Sequence, residues 1–453
     1  LDGSQIAQIR FGHGFGPGRP ALTAAAMLAA LGRPDRAARR HPVAPYAETA
    51  ALRAELQAAN AALREGQAGA EARRDAANAA LVAAGRAGLR AVLARVLDTD
   101  APLRERLVWF WADHFTVAAA GPTGRAAVPA FVDEAIRPHV TGRFADMLRA
   151  VIRHPVMLVY LDQHLSYGPG SAAAARGGRG LNENLARELL ELHTLGVGGG
   201  YAQADVRAAA ELLTGLMIDR DRAFVFRPAA AEPGAETVLG RRYGGDGPAR
   251  IEDIDAFLGD LAAHPATARH LARKLAVHFV ADDPPAALVE DLAAVYAAQG
   301  GDLMAVTGAL VTHPLALAPT LAKVKPPLEF VASALVAGGV TAAEVAALEP
   351  GEVRRLLDVP LTHMGQPFQR PRGPDGWPEA PGDWITPQGL AARIGWATAL
   401  AGRLVDRLGD PRGFLDAMLP GLAGPDLRFA VGAAETRREA VALVLASAEF
   451  NRR

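Results

Sequence analysis

Apolar residues recur along most of this chain at intervals of three and four, the spacing that draws one stripe down a helix. In residues 46–66, Leu52, Leu56, Ala59 and Leu63 share a face, and 70–97 continues in the same alanine-rich style after Gly66-Gln67-Ala68-Gly69. These two segments predict a helical hairpin standing as an excursion from the main body. A second start is marked by Thr99 or Asp100 as cap and Pro102 in the first turn, followed by Leu103, Leu107, Phe110 and His114 at helical spacing. Gly121-Pro122 breaks that pattern, and helices are expected at 127–137, 141–153, 155–164 and 203–216. Others are expected at 251–262, 265–279, 284–298, 302–312, 326–337, 341–347, 351–356, 386–407, 411–418 and 434–448. Only Ala223-Phe224-Val225-Phe226 and Thr237-Val238-Leu239 read as strands, flanking a Pro/Gly turn.

The pattern implies an all-α fold, a large multi-helix globular array with one small β-hairpin near 223–240. Residues 1–45 are expected to form an irregular N-terminal segment, its first twenty residues rich in Gly and Pro. The excursion is placed at 46–97 and the main helical domain at 98–453. Gly168 to Gly180 reads as a glycine-rich loop, either a lid or a surface insertion, and Gly365 to Ile385 as a long loop carrying Trp377 and Trp384. No fixed-period repeat is present.

Composition narrows the function. With 48 basic and 49 acidic residues there is no cationic excess to hold a phosphate backbone, so nucleic acid is not an expected partner. No run approaches the roughly 20 apolar residues of a transmembrane helix. Cysteine is absent, which removes disulfides, thiolate metal sites and thiol nucleophiles and fits either a reducing or an oxidising compartment. Leu1-Asp2-Gly3-Ser4-Gln5 lacks the basic-then-apolar pattern of an export signal, so a soluble protein is expected, cytoplasmic or periplasmic. Lysine occurs only at Lys274, Lys323 and Lys325, the other cations being arginine, which suggests positions where a compact ammonium matters.

The densest polar stretch is Leu181 to Gly196, read as about four turns of helix ending at Gly196. At 100° per residue Asn184, Arg187, Glu188 and Glu191 form one stripe, while Leu185, Leu189 and Leu192 form an apolar one. His193 lies roughly 160° from Glu191 on such a helix. A single ion would therefore need ligands from other elements, such as His114 or Asp162. Two of the five asparagines, Asn182 and Asn184, fall in this stretch. The spacings of di-iron bundles, zincins, serine hydrolases, Walker loops and dinucleotide folds are all missing.

Two readings follow. In one, Glu188, Glu191 and His114 are catalytic acids and bases, Asn182, Asn184, Arg187 and Lys274 bind substrate, and Glu188, His114 and Asp162 hold a divalent metal. In the other, Arg187 pairs along its own helix with Glu183 or Glu191, and the polar groups only fix packing. His114 also fits as a core histidine, His193 as a helix cap, Asp162 as a helix terminator and Lys274 as a snorkelling surface residue.

Several segments resemble one bacterial family, the domain of unknown function 1800. They are Phe110-Trp111-Ala112-Asp113-His114-Phe115-Thr116-Val117, Met157 to Asp162, Asn182 to Gly196, and Asp205-Val206 through Leu213-Thr214-Gly215. His264-Pro265-Ala266-Thr267-Ala268 with Lys274-Leu275, Lys325-Pro326-Pro327-Leu328-Glu329 and Gly376-Trp377-Pro378 complete the set, in consistent order. The resemblance implies a mostly helical bacterial protein, often exported, with no assigned activity. It also implies a His-Asp pair and a nearby Lys between the short strands, where this chain has Ala231-Glu232-Pro233-Gly234-Ala235-Glu236 instead. Asp113 stands where an Asn is common, and Ala202 where a capping hydroxyl is expected. The expected function is acid–base or metal-assisted hydrolysis of an unknown substrate, the expected partner being an unknown small molecule or an exported protein. The alternative is a non-catalytic binding or assembly protein acting with an exported partner.

Overall fold

Three helical segments of this chain begin with the same dipeptide. His154-Pro155, His264-Pro265 and His313-Pro314 each place the histidine at the N-cap and the proline in the first turn. Each imidazole Nδ1 accepts the backbone N–H two residues on, at 3.2, 3.1 and 3.1 Å. Proline has no N–H to lose there and its φ suits the first turn. The computed structural model describes residues 1–177 and 180–453, and such starts assemble a mostly helical array. Among these residues no helix is long and apolar enough to cross a membrane.

The expected hairpin is formed by Tyr46–Arg64 and Ala70–Asp98. The far end of the second helix is deeply embedded, with Leu89, Leu93, Val96 and Leu97 buried in a hydrophobic cluster shared with Phe330, Leu400, Val441 and Phe450. The larger cluster gathers Phe110, Trp111, Phe115, Phe131 and Phe144 around the helix Pro102–His114. Trp109 packs against both clusters and marks their seam. Ala70–Asp98 crosses Gly121–Phe131 at Gly88, where an added Cβ would stand 2.5 Å from Pro129 Cγ. Gly88→Ala is therefore expected to cost roughly 1–2 kcal/mol, overpacking outweighing the gain in helix propensity. Urea unfolding of the variant measures this, and an unchanged midpoint would show that the helices separate freely.

Three expectations need correction. Residues 1–45 are not irregular: Gly3–Arg10, Ala24–Leu31 and Arg36–Arg40 are helical. Asp2 and Gln5 close a capping box, so a short helix forms despite the nearby glycines. The strands pair in two ribbons rather than one, Leu216–Ile218 with Phe224–Phe226 and Ala235–Val238 with Arg241–Gly244. Leu239 (φ 52°) and Gly240 (φ 75°) form the two-residue left-handed turn that suits a hairpin's twist. The first strand had merged with the end of the preceding helical pattern.

Third, Leu181 to Gly196 is not one four-turn helix. An α-helical turn, Asn184–Glu188, widens into a π-turn, Leu189–His193. The glycine-rich loop before it is tied at Gly168 and Ala173, whose N–H groups donate to Ala230 and Ala229 carbonyls. Gly178 and Arg179 of that loop lie outside the described residues.

Candidate active site

The π-turn leaves its last carbonyls without partners in the chain's own helix. Two imidazoles supply them: His114 Nε2 lies 3.1 Å from the His193 carbonyl oxygen and His270 Nε2 3.0 Å from that of Leu192. These carbonyls only accept, so both rings carry their proton on Nε2. Burial holds His114 well below its usual range and His193 down to about 3, with the Lys274 ammonium adding to both effects. His193 thus contributes its carbonyl to a cap, and its own ring is buried.

The remaining polar residues of this stretch serve the chain around them. Arg187 is shared between Glu183 at 3.1 Å and Glu191 at 3.7 Å, and also donates to Gln203. Asn182 Oδ1 accepts the Asn184 N–H, turning the chain into the helix, while the Asn184 side chain faces solvent. Glu188 is half-buried, and burial, with Glu191 and Asp375 nearby, raises its carboxyl above the usual range. Asp162 is exposed, with a left-handed backbone (φ 55°). Among the described residues no three His, Asp or Glu groups are placed to hold a metal ion. The suggested set of Glu188, His114 and Asp162 is therefore not assembled, because one nitrogen of His114 is committed to a carbonyl and Asp162 points outward.

A cavity of about 130 Å³ opens instead at the seam between the clusters. Val108, Trp109, Val117, Val128 and Phe368 supply apolar wall, and Asp113, His278 and Glu379 supply chemistry. His278 comes from Pro265–Phe279, on which His270, Lys274 and His278 recur every fourth residue and so share a face. Its Nδ1 lies 2.6 Å from Glu379 Oε1, and Glu379 also binds the buried Lys323 ammonium at 2.9 Å. An ionised carboxylate only accepts, so the His278 proton sits on Nδ1 and Nε2 is left as a free base. Burial keeps this imidazole below its ordinary pKa despite the adjacent carboxylate.

Asp113 enters from the last turn of Pro102–His114. Its Oδ1 accepts the Trp377 N–H at 2.9 Å, and among the described residues Oδ2 takes no hydrogen bond. Gly376 permits that approach: its φ is 86°, and a Cβ there would stand 2.8 Å from Asp113 Oδ1. Burial raises the Asp113 carboxyl to about 7, against a downward pull from Lys274. Lys274 lies among Asp113, Glu379 and Asp375 but does not line the cavity, and burial lowers its ammonium.

The shift in Asp113 has a thermodynamic consequence. A carboxyl whose pKa is about 7 folded and 3.8 unfolded holds its proton better in the folded state. Its contribution to stability is therefore full below pH 4 and is lost as pH rises through 7. Asp113→Asn is expected to match the wild type closely at pH 4 and to exceed it by roughly 4 kcal/mol at pH 8. Denaturant titration at both pH values decides it; a constant difference would mean that Asp113 is ionised throughout.

The His278–Glu379 pair was not among the residues singled out from the sequence. The signal available was the fourfold spacing His270, Lys274, His278; Glu379 carried only its place after Trp377-Pro378. A family model described as a protein of unknown function (DUF1800) matches residues 9–452. The chain belongs to the DUF1800 family. No curated protein matches it, and no solved structure does. In this DUF1800 chain Glu232, in the segment where the resemblance implies a His-Asp pair, is engaged locally. Its N–H donates to Thr214 Oγ1 at 2.7 Å and its Oε2 accepts from Gly170 at 2.7 Å.

Proposed function

We propose that the seam cavity is an active site for acid–base chemistry, with hydrolysis the nearest reaction class. The observation that carries this is a neutral imidazole oriented by a carboxylate, lining the same cavity as a carboxyl that titrates near neutrality. His278 Nε2 would take a proton from water or a substrate hydroxyl, while Glu379 holds the ring and stabilises the imidazolium that forms. Asp113 Oδ2, half protonated near pH 7, would return a proton to the leaving group. The small, largely apolar cavity favours a short acyl or similar group at the end of a substrate. Glu188 and Glu191 stand outside it and are assigned no step.

This reading predicts a definite pH profile. Activity should fall above about pH 7 as Asp113 loses its proton, and persist well below the ordinary imidazole range because His278 stays neutral there. In Asp113→Asn the alkaline limb should vanish along with much of the rate. An asparagine would keep the acceptor for Trp377 without titrating, so that limb is expected only in chains with Asp at this position. Assays on p-nitrophenyl esters of short carboxylic acids between pH 4 and 9 test it. Absence of turnover across the series, or an alkaline limb that survives in Asp113→Asn, overturns the reading.

A further inference from the structure

A second and larger cavity, about 440 Å³, lies within the second hydrophobic cluster, away from the seam. This volume falls inside the roughly 300–1,000 Å³ range of small-molecule sites. Its space arises from the sequence of the helix Pro387–Leu404, which places Ala392, Gly395 and Ala399 along one face. Buried Leu335, Val345, Leu357, Leu400 and Leu404 form the floor. Trp396 forms a wall, its indole N–H donating to the Leu356 carbonyl at 2.9 Å. That carbonyl belongs to a π-turn, Arg354–Asp358, the kind of local widening that recurs at binding sites.

The solvent end is cationic. Arg355, Arg403 and Arg407 are exposed lining residues, and the single carboxylate there, Glu344, is engaged with Arg407 at 2.7 Å. Arg403 has no ion pair among the described residues, and the nearest carboxylate contact of Arg355 is Glu352 at 3.9 Å. A deep apolar floor beneath an excess of guanidinium groups suits one ligand chemistry, a single alkyl chain ending in an anion. We propose that this cavity binds a fatty carboxylate, its chain along Leu357, Trp396 and Leu400 and its head group at Arg403.

Calorimetric titration with dodecanoate below its micellar concentration tests this, with dodecanol as the uncharged control. Dodecanoate should bind at micromolar concentration and at least tenfold more tightly than dodecanol. An added Cβ at Gly395 meets nothing within 4 Å, so Gly395→Leu should fill the cavity and weaken dodecanoate at least tenfold without lowering the melting temperature. Arg403→Glu, a surface change, should weaken dodecanoate tenfold and leave dodecanol unchanged. Equal binding by wild type and Gly395→Leu overturns the proposal, as does indifference to Arg403→Glu. A dimer that dissociates in Gly395→Leu would assign the cavity to a second copy of the chain and overturn it too.

Discussion

Glu329→Gln is expected to destabilise the protein by about 3–5 kcal/mol, the cost of breaking a buried ion pair from one side. Glu329 Oε2 lies 2.5 Å from Arg106 Nη1 and 2.9 Å from Arg453 Nε, and all three side chains are at most 3% exposed. Arg453 is brought there because residues 323–325 and 451–453 pair across a short bridge, with N–H to carbonyl bonds of 2.9 Å from Lys325 to Asn451 and from Arg453 to Lys323. A neutral amide at 329 leaves two guanidinium groups in the interior without a counter-charge, and Arg106 already has Nε and Nη2 unpartnered. The same carboxylate sets an acid limit. Burial works against it, but Arg106 and then Arg453 hold it down to about 2, from an ordinary 4.5. Its contribution is therefore present above pH 4.5 and disappears as pH falls through 2. Urea unfolding at pH 7 measures the loss. Replacing the three charged residues together by apolar ones of similar size should recover most of it, which a loss caused by misfolding would not do.

That triad also shows where reading the chain succeeds and where it stops. Helices such as Pro265–Phe279 and Pro102–His114 announce themselves because their caps, prolines and apolar spacing are local. The scarcity of lysine was informative: Lys323 and Lys325 are buried and Lys274 is partly so, with Lys325 over the Phe450 ring at 4.5 Å. The π-turn at Leu189–His193 was hidden, because a widened turn depends on His114 and His270 arriving from distant helices to take its carbonyls. Once the turn widens, regular 100° spacing no longer places His193 relative to Glu191. The seam cavity was hidden for the same reason. Asp113, His278 and Glu379 lie on three segments far apart in the chain, and their meeting depends on tertiary packing.

The largest effect on activity is expected at His278. Its loss should lower kcat/KM on any ester that the cavity turns over by about 10²–10⁴, the range for a positioned general base. Substitution by alanine is the informative change. The ring is a cavity wall tilted against Phe110, with centroids 5.3 Å apart, so its removal leaves a space bordered by Glu379. Added imidazole can enter that space, donate one N–H to Glu379 and offer its other nitrogen as base. Activity should therefore rise with imidazole in His278→Ala and stay unchanged in the wild type. Glu379→Gln should lose activity on a similar scale to His278→Ala, because Lys323 claims the amide oxygen and the amide N–H then faces His278 Nδ1, which turns the ring to the tautomer protonated on Nε2. Stability must be followed in parallel, since Glu379 also pairs with Lys323 and Arg453 Nη1 donates to the His278 carbonyl at 2.6 Å. A rate loss that imidazole cannot restore, accompanied by a fall in melting temperature, would assign His278 to the architecture of the seam. Restoration by imidazole at unchanged stability would place the proton transfer at its Nε2.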